Sequence, residues 1–339
     1  MEIKNFFEEI RAHMIVAIVM GTIAFLFSLF FDILLNKFSI SIFTLIATSI
    51  TFFGLLIIAM QKNLPTAYRV AVIGFPRSGK TTLITALFGE LFANRLGIKA
   101  IPRGLETTER INANLEKLEI GKSIGSTTDQ DVFAYRIDVI RGKSIFERRY
   151  KVEIGDFPGE DSATFIEKFG NWFHQTPYFK WAMESDAFLF IVDLTPALVN
   201  TKEHGTPEEY VAKMTSAIRA AWQRLNEYHY EGNTELSQKP VILIFTKADL
   251  FGITSEKDDL DETTNAILKF GFNEIPKPTE IDSAKLEQGK EKILKQFSTL
   301  IQYLTNQSKN FQCVFVSCFS YEKEQRVGIK ELLNKMLPK

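Results

Sequence analysis

Residues able to do chemistry fall in a few short stretches, and the densest is Arg69 to Thr82, RVAVIGFPRSGKTT. An apolar run (Val70, Ala71, Val72, Ile73) ends at Gly74, four residues lead to Gly79-Lys80-Thr81, and a helical pattern follows. The pattern G-x-x-x-x-G-K-[ST] between a strand and a helix predicts a phosphate-binding loop. Its glycines let backbone N–H groups turn toward one point, where the next helix aims its positive dipole end. Gly74, Arg77, Ser78, Gly79, Lys80, Thr81 and Thr82 would line this cradle. The Lys80 ammonium would reach the β- and γ-phosphates, and the Thr81 hydroxyl would ligate Mg²⁺.

Two further stretches suit the same ligand. A β-type run ends in Asp156-Phe157-Pro158-Gly159. A carboxylate at a strand end facing a phosphate loop can hold Mg²⁺ through water, and Gly159 can present its N–H to a γ-phosphate. Downstream, the apolar strand Val241–Phe245 runs into Thr246-Lys247-Ala248-Asp249. A carboxylate at Asp249 can accept two hydrogen bonds from N1–H and N2–H of guanine. Adenine offers no such pair of donors and would leave the buried carboxylate unpaired. The stem of Lys247 would lie along a face of the base, and a backbone N–H at Ser317-Cys318 could meet the guanine O6.

With GFPRSGKT, DFPG and TKAD in this order, residues 68–338 resemble the P-loop GTPases of the translation-factor and Ras-like class; Ser317-Cys318 is a looser match. The resemblance implies GTP and GDP as ligands, Mg²⁺ as cofactor and GTP hydrolysis, slow without a partner or dimerisation. It assigns phosphate to Lys80, Mg²⁺ to Thr81 and Asp156, γ-phosphate to Gly159, and the base to Thr246, Lys247 and Asp249. It also calls for a switch threonine before the hairpin. Thr127 and Thr128 are the candidates, with Thr128 preferred of the two, and the upstream helical pair Thr107 and Thr108 ranks below both.

Two departures from the family bear on catalysis. Glu160 stands where small GTPases often carry Gln, and a carboxylate beside a γ-phosphate repels charge unless protonated or turned away. Arg77 stands in the loop where several bacterial relatives have a potassium-binding Asn. Guanylate-binding proteins and atlastins look similar there, with Arg acting as an internal arginine finger, a role worth roughly 10³–10⁵ in rate. Arg77 is therefore expected to supply transition-state charge in cis, and a GTP-dependent dimer is left open. The aromatic stretch 157–181 corresponds to the second switch and is the expected effector surface. The alternatives are a GTP-binding scaffold that hydrolyses little, a dynamin- or atlastin-like membrane-remodelling GTPase and, least favoured, an ATPase.

The elements that must position these residues can be read from periodicity. Leu83 to Phe92 repeats at helical spacing, and 98–125 contains another helix. Val132–Ile140 and Arg149–Ile154 form a hairpin, and Phe188–Val192 is a strand followed by Asp193. Thr206-Pro207-Glu208-Glu209 opens a long helix with a capping box. Leu286–Leu304 is amphipathic, Cys313–Val316 is the last strand, and Ile329–Met336 closes the chain. Alternating strands and helices predict an α/β, doubly wound, mostly parallel sheet with helices on both faces. The expected GTPase domain spans 69–339, with insertions at about 97–126 and 253–283.

Upstream lies a different composition. Residues 14–31 and 38–60 are uncharged runs of 18 and 23 residues separated by a short loop. About 20 apolar residues cross a hydrocarbon core of about 30 Å, so residues 1–60 are expected to form a two-span membrane anchor, with 61–68 a linker. Lys4, Arg11, Lys62 and Arg69 outside the pair outnumber Lys37 within it, which puts both termini and the nucleotide domain in the cytoplasm. The signal-recognition-particle receptor's small subunit is loosely similar in plan. The compact design suggests a bacterial cytoplasmic membrane. Beyond residue 60, 37 Lys and Arg balance 37 Asp and Glu, which gives no electrostatic reason to expect nucleic-acid binding. The two cysteines and four scattered histidines give no disulfide framework and no zinc spacing.

Overall fold

A computed structural model describes residue 30 and residues 67–75, 77–93, 98–120, 124, 133–141, 148–156, 181–231, 236–253, 279–322 and 325–337. The chain divides into two compact units, Met1–Leu64 and Pro65–Lys339, and the account that follows concerns the second. The apolar runs 14–31 and 38–60 lie outside the described residues apart from Phe30. Among the described residues no helix is long and apolar enough to cross a membrane.

Seven strands form one sheet in the order β2-β3-β4-β1-β5-β6-β8. They are β1 (Ala67–Gly74), β2 (Lys99–Pro102), β3 (Phe133–Arg141), β4 (Arg148–Asp156), β5 (Ala187–Asp193), β6 (Val241–Thr246) and β8 (Phe311–Val316). Only β3 runs against the others. The centre is parallel because β1, β5 and β6 are continuous apolar runs, which suits strands buried on both faces. A smaller sheet joins β7 (Thr279–Glu280), β9 (Ser320–Glu322) and β10 (Gln325–Arg326).

Helices cover both faces of the large sheet, as predicted. On one face α1 (Lys80–Phe92), α2 (Leu105–Glu119) and α8 (Ile329–Met336) bury Leu87, Ile111 and Leu333 against Val70, Val72 and Ile154. On the other, α3 (Leu194–Leu198), α4 (Pro207–Glu231), α5 (Leu250–Ile253), α6 (Ser283–Gln296) and α7 (Ser298–Gln307) pack beside Ala71, Ile73, Phe190 and Phe245. The capping box that opens α4 is formed: the Thr206 N–H donates to Glu209 Oε2 at 2.9 Å and the Glu209 N–H to Thr206 Oγ1 at 3.3 Å.

Two elements differ from the sequence reading. Lys99–Pro102 pairs antiparallel with Ile137–Ile140 as an edge strand, where only a helix was expected nearby. Four residues ending in proline are too short to show a period of two. The single helix expected over 286–304 is two, α6 and α7, meeting at Phe297, which is fully buried against Phe245.

This topology creates the crevice. From β1 the chain crosses to α1 on one face, whereas from β5 it crosses to α3 and α4 on the other, and β1 and β5 are neighbours. Adjacent parallel strands whose connections leave in opposite directions open a cleft beyond their carboxyl ends, the usual ligand position in open α/β sheets.

Candidate functional site

The phosphate loop bridges β1 and α1 at that crevice. Gly74 lies against the neighbouring strand: an added Cβ would stand 2.9 Å from both Ile191 Cβ and Ser78 Oγ, so only glycine fits. Gly79 caps α1 in the left-handed conformation, at φ 83° and ψ 22°, and makes no side-chain cap. Gly79 has no side chain to cap the first turn of α1, the arrangement that suits an anion at a helix start. Ser78 Oγ donates to the Phe75 carbonyl at 2.8 Å and closes the turn from within. Lys80, 7% exposed, curls back over the loop and donates to the carbonyl oxygens of Gly74 at 2.9 Å and Phe75 at 2.8 Å.

Beside the loop, the Thr81 hydroxyl donates to Asp156 Oδ1 at 3.2 Å. Asp156 is 3% exposed at the end of β4, beside β1 in the sheet. A buried carboxylate and a hydroxyl at a phosphate loop form a hard-oxygen donor set, which fits Mg²⁺ with phosphate and water oxygens completing its shell. The residues present thus fit the metal.

The base end is assembled by strands that finish level. Asp193 pairs with Thr246 across β5 and β6, and Thr246 with Val316 across β6 and β8. The Thr246 hydroxyl is shared between the Ser78 carbonyl at 2.9 Å and the Val192 carbonyl at 3.2 Å, which ties the base loop to the phosphate loop. Ser317, fully buried, donates from Oγ to Asp249 Oδ1 at 2.8 Å and accepts from the N–H groups of Ser320 at 2.9 Å and Phe319 at 3.2 Å. Burial pushes the Asp249 carboxyl above the usual carboxylate range, and the Ser317 hydrogen bond works against that rise. Burial likewise pushes the Cys318 thiol up to about 12, so it stays protonated.

Among the described residues the only non-glycine residues with positive φ are Arg77 at 60° and Lys247 at 64°. The Arg77 side chain is 74% exposed, with its guanidinium 4.0 Å from Glu203 in the turn before α4. The Lys247 ammonium sits 2.6 Å from Asp193 Oδ2 and 3.2 Å from Thr195 Oγ1.

Gly74, Phe75, the residues from Arg77 to Thr82, Asp156, Thr246, Lys247, Asp249, Ser317 and Cys318 thus gather along the carboxyl edge of the parallel strands. Thr127, Thr128, Gly159 and Glu160, with the aromatic stretch 157–180, lie outside the described residues. Thr107 is buried in α2, and the Thr108 hydroxyl is taken by the Gly104 carbonyl at 3.1 Å. Asp193, Thr195 and Tyr210 were not singled out from the sequence. The available signal was an apolar strand ending in Asp, with Thr two residues later as in a local cap.

No family model matches the chain, and no curated protein matches it. Among solved structures it is similar to Methanosarcina barkeri Roco2 RocCORdC bound to GDP. The identity is 13%, the match covers 80% of this chain and 48% of that one, and the TM-score is 0.30. The chain spans about half the length of that protein.

Proposed function

We propose that the chain binds GTP and GDP with Mg²⁺, hydrolyses GTP, and switches a cytoplasmic-face partner between the two nucleotide states. The observation that carries this reading is the convergence of two halves on one strand edge. Lys80, Thr81 and Asp156 form the phosphate half, Asp249 with Ser317 forms the base half, and the Thr246 hydroxyl joins them. Mg²⁺ would be held by Thr81 and Asp156 and would supply neutralising charge to the phosphates. Lys80 binds phosphate from inside the loop, and α1 directs its N–H groups at the same oxygens. Asp249 accepts from the Watson–Crick edge of guanine.

The uncharged runs 14–31 and 38–60 support membrane anchoring through two spans, with both termini in the cytoplasm of a bacterial cell. The aromatic stretch 157–181 is the proposed effector surface, with a GTP-dependent dimer as a further arrangement.

Asp249→Asn tests the base assignment. The expected result is weaker GDP binding with a gain for xanthine nucleotides, read by nucleotide competition. A variant that keeps the guanine preference of the parent overturns it.

A second reading, a GTP-binding scaffold with little hydrolysis, is favoured by one observation. Arg77, the residue expected to act in cis, carries its guanidinium 74% exposed and beside Glu203. Tight GTP binding with turnover near the uncatalysed rate selects the scaffold; turnover that rises with protein concentration selects a dimeric enzyme.

A further inference from the structure

Asp193 makes more directed contacts than any role so far explains. It ends β5, is 6% exposed, and has a partner for its N–H and for each carboxylate oxygen. Its Oδ1 accepts from the Thr195 N–H at 2.9 Å, which caps α3 and fixes the rotation of the carboxylate. Its own N–H donates to the buried Tyr210 hydroxyl at 3.1 Å. Its Oδ2 is thereby aimed at the Lys247 ammonium, 2.6 Å away, which Thr195 Oγ1 meets from the other side at 3.2 Å. Lys247 is held at both ends, by this pair and by its left-handed backbone.

A second carboxylate lies in the same loop. Asp249 follows Lys247 by two residues, and the charge of Lys247 reaches it. The ammonium that Asp193 holds thus belongs to the residue two before the Asp249 carboxylate. If it swung to Asp249, it would occupy oxygens that must accept from guanine N1–H and N2–H. A charge-assisted bond to lysine would be hard for neutral donors to displace.

We propose that Asp193 is a specificity-determining positioning residue: by holding the Lys247 ammonium it keeps that cation off Asp249 and leaves Asp249 to read the base. This rests on the guanine-binding reading above. The Lys247 stem is thereby drawn out as an apolar rail along the base, and its charge is neutralised away from the recognition edge.

The test uses the full chain in detergent micelles and measures affinity for GDP and for inosine diphosphate, which lacks the N2 amine. Asp193→Asn keeps the cap on Thr195, because Asn caps as well as Asp; Asp193→Ser is the second variant should the first not fold. In either, GDP affinity is expected to fall about tenfold and the preference for GDP over inosine diphosphate to shrink, while thermal stability stays near that of the parent. Adding Lys247→Met removes the released cation but keeps an apolar stem, and is expected to restore most of both losses. A purely structural Asp193 would give no such rescue. If the parent chain does not bind GDP, the guanine reading fails and takes this inference with it. If the parent binds but the Asp193 variants keep its affinity and preference, or Lys247→Met brings no recovery, only this inference fails.

Discussion

At the phosphate end of the cleft, backbone holds the residues that matter; at the base end, side chains hold one another. Gly74 and Gly79 shape the phosphate loop because one site has no room for a Cβ and the other requires positive φ. Lys80 then donates to the Gly74 and Phe75 carbonyls of its own loop. The base end contains no glycine between Thr246 and Asp249. Its geometry comes from an ion pair, Asp193 with Lys247, and a hydroxyl clamp, Ser317 on Asp249. A site held by backbone tolerates changes in its surroundings but not in its own residues. A site held by side chains can be retuned one partner at a time.

Lesions at the two ends should therefore fail differently, and the largest effect is expected at the phosphate end. Lys80→Ala removes a buried cation from the phosphate cradle and should weaken GDP, GTP and inosine nucleotides alike by about 100-fold, since hydrogen bonds to charged groups contribute about 1.5–3 kcal/mol each. Titration calorimetry with all three nucleotides checks this. A loss confined to guanine nucleotides would break the division between the ends.

Thr246→Val is the intermediate case, because its hydroxyl belongs to both halves. It leaves two buried carbonyls, Ser78 and Val192, short of a donor, at a cost of about 1–3 kcal/mol. The expected outcome is a lower melting temperature together with roughly tenfold weaker binding of every nucleotide. Loss of stability with intact affinity would show that the halves need no tie.

The smallest effect is expected from pH. Burial raises the Asp249 pKa above its ordinary value. Guanine needs the ionised form, so the preference for GDP over inosine diphosphate should fade as pH drops through the raised value, before ordinary carboxylates near about 3.9 titrate. The stability linkage runs the other way. A folded-state pKa above the unfolded one contributes stability that is full below the unfolded value and lost as pH rises through the folded one. Acidification should therefore relieve the nucleotide-free base end while it blunts recognition, and melting curves and competition binding at matched pH values check both signs.

How legible these features were in the sequence follows the same division. The phosphate loop was readable because its backbone needs glycine at fixed spacing, where a Cβ is refused at Gly74 and positive φ is held at Gly79. Asp156 was readable because a strand ends on it, and TKAD because its spacing is local. Asp193 passed as a strand terminus. Its partner Lys247 is 54 residues away, and only the level ending of β5 and β6 brings them together. The β2 edge strand was hidden by its length, and the break at Phe297 by an apolar pattern that continues across it. Local chemistry is written in spacing; chemistry made by register is not.

The two left-handed residues carry a consequence for how this chain would drift. Arg77 and Lys247 each hold a conformation that glycine adopts freely and other residues adopt at a cost of order 1 kcal/mol. Selection for stability alone would resist glycine at Lys247, whose ammonium neutralises the buried Asp193 carboxylate, more than at the exposed Arg77. Of the two side chains, that of Arg77 is the one folding by itself gives less reason to keep.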